Sequence, residues 1–244
     1  MIQFPRIHEL HKETQKDMRI PTDEKLWPAS WKIVEFKEYP RFKSFSLPSP
    51  TLLNDSISSV LLSRQTKRVF RETETLSSAE LSSLLFWSAG EKETQKDFNG
   101  NNSRFYPSGG ARYPLEVYIS FRGNGTIPQG VYHYNVKKNT LELLLGKNGD
   151  EMLRKIPSYP WMPKAALLVF ISAVFGRTMG KYKERGYRFI NLESGILLEN
   201  FYLVSTAIGL SMCASGVINE NLVENILDID QETEGIMTQF VIGR

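Results

Sequence analysis

Three stretches of the 244-residue chain carry side chains whose types and spacing suit chemistry. Arg64, Thr66 and Arg68 set two guanidinium forks and a hydroxyl close together, a combination that matches phosphate oxygens and equally suits a solvated basic face. The segment Pro107-Ser108-Gly109-Gly110-Ala111-Arg112-Tyr113-Pro114 joins two glycines, which let backbone amides approach a ligand, to a serine donor and flanking prolines. It lacks the Gly-Lys-Ser/Thr of a phosphate-cradling loop, and a tight turn into the next strand is the alternative reading. Between Arg177 and Arg188, Lys181, Lys183 and Arg185 add to a cationic cluster balanced by Glu184 alone. Mutual repulsion there lowers the proton affinity of the least solvated lysine, which suits Lys181 to general-base work beside Tyr182; basic residues flanking a core helix are the other reading.

Other candidates carry less. His8, His11 and His133 lack metal-ligand spacing, so no metal site is expected. Cys213, between small residues, reads as a buried thiol. Glu193 and Asn200 share one helical face, either as a buried pair that sets dimer packing or as partners of nearby backbone.

The elements that position these groups follow from pattern. Residues 1–50 combine six prolines with Trp27, Trp31, Phe36, Tyr39, Phe42 and Phe45, so they are expected to wrap over the core or a partner subunit as an arm. From residue 51 a domain begins: a helical face over Leu52–Leu61, a helix capped at Ser77 or Ser78 and closed by Gly90, and a long loop over 91–110. Strands are expected at Leu115–Phe121, Gly130–Tyr134, Thr140–Leu145 and, fully buried, Ala165–Phe175. Tyr187–Leu210 reads as an enclosed core helix, Ser211–Val217 as a turn, Asn219–Leu227 as a short helix and Gly235–Gly243 as a last strand. This order predicts an α+β layer fold.

The formal net charge of +3 conceals 12 basic and 4 acidic residues over 121–192, against 1 and 8 over 193–244. A basic band in a near-neutral chain favours a small anionic ligand over nucleic acid. Phe189–Ala214 contains Asn191, Glu193, Glu199 and Asn200, which argues against a membrane span. Met1–Pro5 runs directly into charged residues, so a secretory signal is not expected and a cytoplasmic location is.

Five motifs in order, Arg64–Phe70, Leu76–Trp87, Pro107–Glu116, Gly130–Tyr134 and Lys181–Phe189, resemble the SagB-type azoline dehydrogenases of the flavin nitroreductase superfamily. The likeness covers about residues 51–244; His8-Glu-Leu and Trp27-Pro-Ala-Ser-Trp31 are similar to the same branch. The resemblance implies a mixed or antiparallel sheet flanked by helices, and an intertwined homodimer with FMN at each interface. It assigns Arg64, Thr66 and Arg68 to the phosphate, ribityl chain and pyrimidine edge, and Pro107, Ser108 and Gly109 to a loop lying against the neighbour's flavin. Terminal Arg244 would be a further phosphate contact, and Lys181 and Tyr182 the proton-abstracting pair. Gln65, where a basic residue is common, and Gly110, an added flexible position, depart from the pattern. The implied reaction is oxidation of peptide thiazolines or oxazolines to azoles, with an azoline-containing peptide as substrate and a cyclodehydratase as partner. A general NAD(P)H-dependent nitro or quinone reductase and a flavin-bound structural subunit are the alternatives.

Overall fold

The structure, a computed structural model, describes residues 5–15, 20, 21, 23–96 and 100–244; the side chains of Pro5 and His8 lie outside the described set. Its helices are α1 (Pro5–Glu13), α2 (Ile57–Ser63), α3 (Ser78–Ala89), α4 (Lys147–Leu153), α5 (Phe175–Tyr182), α6 (Arg185–Ala207) and α7 (Glu220–Leu227). The strands are β1 (Ser44–Ser46), β2 (Glu91–Lys96), β3 (Asn102–Arg104), β4 (Leu115–Phe121), β5 (Gly130–Asn135), β6 (Thr140–Leu145), β7 (Leu167–Val174), β8 (Ser211–Ser215) and β9 (Glu234–Gly243).

Seven strands form one antiparallel sheet in the order β1-β6-β5-β4-β7-β9-β8, while β2 and β3 make a separate hairpin. The apolar run of β7 takes a central place because both its faces are covered. Its odd-numbered residues, Leu167, Val169 and Ile171, pack in one core with Leu81, Leu84, Ile190, Leu197 and Phe201 from α3 and α6. Leu168 and Phe170 face the second core, with Leu153 of α4 and Val223 and Leu227 of α7. The sheet is thus sandwiched between helices, and the α+β architecture expected from the element order is the one observed.

Local chemistry explains the boundaries. Ser77 and Glu80 form a reciprocal capping box at the start of α3, and the Asn219 side chain caps α7. Four expectations need correction. The helical face over Leu52–Leu61 shortens to α2, capped by Ser56. Part of the loop over 91–110 pairs as the β2-β3 hairpin, whose polar composition hides its alternation. Ser211–Ser215 is a strand, because it completes the sheet edge against β9. Finally, α6 is not enclosed all round: Leu192 is 64% exposed and Ile196 37%.

Two segments bring distant residues toward α6. Thr66 forms a parallel bridge with Met212, and the Lys67 amide donates to the Met212 carbonyl at 3.0 Å. The arm crosses the sheet, where Lys37 pairs with Glu234 and the Tyr39 amide donates to Glu142 at 3.1 Å. Among the described residues, no helix is long and apolar enough to cross a membrane.

Candidate active site

The glycine loop meets the Lys181–Tyr182 pair. Gly110 sits at φ +62°, in the left-handed region that suits glycine, and a Cβ there would clash with the Tyr182 hydroxyl and lie 3.1 Å from Lys181 Nζ. Gly110 is therefore more than a flexible addition: its missing side chain makes room for the pair. Ser108 Oγ accepts from the Tyr113 amide at 2.8 Å and fixes the turn from within. Tyr182 is held edge-on against Phe189 at 4.9 Å between ring centroids, and Phe189 lies beneath Gly109.

Lys181 is only 3% exposed because the arm covers it. Its ammonium lies 3.6 Å from the Trp27 ring centroid and 5.6 Å from that of Trp31. Arg112 pins this cover, donating to the Trp31 carbonyl at 2.7 Å and the Ser30 carbonyl at 2.9 Å. Burial lowers the Lys181 pKa, Arg112 lowers it further, and Glu24 opposes them. The cause differs from the expected repulsion within the cluster, because Lys183 and Arg185 are exposed and the other two cations have partners of their own. Arg177 is paired with Glu116 at 2.5 Å, and Arg188 donates to Thr14 Oγ1 at 2.6 Å and the His11 carbonyl at 3.1 Å. Burial raises the Tyr182 pKa, with Arg112 opposing, so its hydroxyl stays protonated.

Glu193 completes the cluster. One carboxyl oxygen, Oε1, accepts from the Gly109 amide at 2.9 Å. Asn200 donates instead to the Ser88 carbonyl at 3.1 Å, so the two polar residues of α6 serve backbone groups and do not pair. Trp27, Trp31, Arg112 and Glu193 were not singled out by sequence spacing as companions of Lys181. The available signals were tryptophans too costly to leave in water and an acid inside a largely apolar helix.

The basic segment lies elsewhere on the same helix. The Arg64 guanidinium stands 5.6 Å from the Tyr202 ring centroid, and Thr66 Oγ1 is 3.5 Å from the Tyr202 hydroxyl. Tyr202 is about 14 Å beyond Glu193 along the axis at 1.5 Å per residue. Arg68 lines a cavity of about 230 Å³ with Trp161, Ser215 and Gly216, next to buried Cys213. Pro107 is exposed at the loop. Arg244 turns its guanidinium to Glu80, with Glu74 at 4.0 Å, so its described contacts are carboxylates. One chain therefore joins Ser108, Gly109, Lys181 and Tyr182, and keeps Arg64, Thr66 and Arg68 apart from them.

The Nitroreductase family model matches residues 61–244. The chain belongs to the nitroreductase family. This is a family of flavin oxidoreductases, and a family structure from Exiguobacterium sibiricum was solved in complex with FMN (TM-score 0.57, 10% identity, 80% of this chain and 90% of that one). The protein MJ1384 of Methanocaldococcus jannaschii, named as a nitroreductase, is 28% identical over 75% of this chain and 89% of its own. The trifolitoxin-processing protein TfxB of Rhizobium leguminosarum is 30% identical over 66% of this chain. The microcin B17-processing protein McbC of Escherichia coli is 31% identical over 55%. The matches span 45% and 52% of TfxB and McbC, about half of each. In fold, a Ralstonia eutropha nitroreductase gives a TM-score of 0.70 at 22% identity, covering 87% of this chain and 94% of that one. A chain of the E. coli microcin synthetase McbBCD complex with truncated pro-MccB17 gives 0.63 at 21%, covering 98% and 91%.

Proposed function

We propose that this protein oxidises thiazoline or oxazoline rings in a ribosomally made peptide to azoles, with FMN as cofactor. The observation that carries the reading is Lys181: buried, depressed in proton affinity, and packed with Tyr182 against a glycine turn whose missing side chain gives both their place. The similarity to two peptide-processing proteins gives the substrate class.

The residues present fit the cofactor. Arg64, Thr66 and Arg68 offer donors for a phosphate and its chain, and the Gly109–Gly110 turn is half-buried backbone without side chains, which a planar ring can approach closely. FMN, when bound, supplies the two-electron acceptor. Lys181 in its neutral form takes the proton from the ring carbon at Nζ, and burial raises the fraction of lysine in that form. The protonated Tyr182 hydroxyl donates a hydrogen bond that orients the ring, and Trp27 and Trp31 keep water from the lysine. Exposed Leu192 and Ile196 on α6, with Ile57, Leu61 and Leu62 on α2, support a homodimer that brings one chain's basic segment to the other's glycine loop. A cyclodehydratase fits as the partner that makes the azoline, acting on the same peptide.

The test is to incubate flavin-loaded protein with an azoline-containing peptide and follow the loss of two hydrogens by mass spectrometry. Azole formation without NAD(P)H is expected. Reduction of nitro or quinone compounds by NAD(P)H with no azole formed would favour the general reductase. Undiminished azole formation in a complex whose Lys181 and Tyr182 are both replaced would favour the structural subunit.

A further inference from the structure

Glu193 is 3% exposed, and its two carboxyl oxygens have different surroundings. Oε1 holds the Gly109 amide, while Oε2 is buried with no hydrogen-bond partner among the described residues. An ionised oxygen without a partner is costly in such a place, so the site favours a proton there. The neighbours agree. Burial pushes the Glu193 pKa up to about 7, against the opposing pull of the Gly109 amide, the Ser108 hydroxyl and the Arg104 guanidinium. The other titratable groups in reach, Tyr106 before the loop and Tyr182 on α5, are protonated phenols with raised pKa values. The adjacent glycines are thus each packed against side chains of the helices, Gly109 against Glu193 and Phe189, Gly110 against Lys181 and Tyr182.

We propose that Glu193 is a positioning residue of the flavin site, which in its protonated form sets the glycine turn to receive FMN, so that cofactor binding is coupled to proton uptake. The inference rests on the flavin reading above. A planar ligand on the loop displaces the solvent beyond the turn, lowers the local dielectric around the already buried carboxyl and further disfavours its ionised form. FMN affinity therefore falls as pH rises through the neutral range, because the ionised protein must gain a proton to bind.

The test is an FMN fluorescence titration of apoprotein from pH 6 to 9, on wild type and Glu193→Gln, which keeps the acceptor for Gly109 and cannot ionise. At pH 6 the two bind alike. Toward pH 9 the wild type weakens relative to Glu193→Gln, by about tenfold for each unit by which the bound cofactor raises the carboxyl pKa. Parallel curves for the two proteins, or a variant equally weakened at every pH, overturn the proposal. Should the variant not fold, infrared spectra of the wild type decide. A protonated-carboxyl band that persists at pH 6 and titrates near neutrality supports it, and its absence at pH 6 overturns it. Failure of wild type to bind FMN at any pH would sink the flavin reading itself, whereas tight binding with no pH dependence sinks only the role of Glu193.

Discussion

Arg177 and Lys181 stand one turn apart on α5, both buried, and their surroundings are opposite. Arg177 begins a chain of matched charges. It pairs with Glu116, whose other oxygen lies 2.9 Å from His133 Nε2, and His133 Nδ1 lies 2.9 Å from Glu142. Asn135 and the Tyr39 amide complete the hydrogen bonds of Glu142. This network joins α5, three strands and the arm. Lys181 meets aromatic rings, and its neighbour Glu193 keeps one oxygen unpartnered. On the proposed reading, the partner separates a buried charge that holds the fold from one kept for chemistry. Arg177 has a carboxylate, although its Nε is unpartnered among the described residues, whereas the Lys181 ammonium lies over aromatic rings.

Breaking the matched side should cost the most stability. Glu116→Ala leaves Arg177 and His133 without their shared carboxylate, and urea unfolding should find a loss of about 3–5 kcal/mol. A loss below about 1 kcal/mol would erase the distinction.

The same network sets a pH dependence. Arg177, with His133, outweighs burial and holds the Glu116 carboxyl at about 2, below its ordinary 4.5. The contribution is present above about pH 4.5 and vanishes as pH falls through 2, amounting to about 3 kcal/mol by linkage. His133 has the opposite sign: the two carboxylates raise its pKa against burial, so its contribution is full below its unfolded value of 6.5 and fades as pH rises through the folded one. Stability curves for wild type and Glu116→Gln should converge toward pH 2, and parallel curves would contradict the assignment.

Gly110→Ala sharpens the reactive side. The positive φ alone should cost about 1–2 kcal/mol, and the added methyl displaces Tyr182, so azole formation should fall by more than the folded fraction does. Gly180→Ala, on α5 with open space around its Cα, should be neutral or stabilising by up to about 1 kcal/mol. Similar activity losses in both would deny the glycine turn its role. The smallest effect is expected from Arg244→Ala, whose half-exposed contacts with Glu80 and Glu74 are worth up to about 1 kcal/mol in thermal unfolding.

Much of the framework was legible in the sequence because it rests on local rules. The β7 run, the Ser77 cap and the β5-β6 hairpin are written in short windows. The β2-β3 hairpin and β8 were not, since a polar hairpin has no apolar alternation and an edge strand is defined by its neighbour. At the site, Lys181, Tyr182 and the glycine loop stood out by residue type. Arg112, Trp27 and Glu193 join them only through folding, when contacts between residues about a third of the chain or more apart cover the lysine and clasp the turn.

The central claim is that Lys181 is kept reactive while Arg177 holds the fold. Its most direct measurement is the rate of azole formation by Lys181→Ala and wild type at matched flavin occupancy, alongside their melting temperatures. The account predicts a variant that folds and binds FMN as wild type does yet loses at least about 100-fold in rate. An undiminished rate with the flavin in place would contradict it.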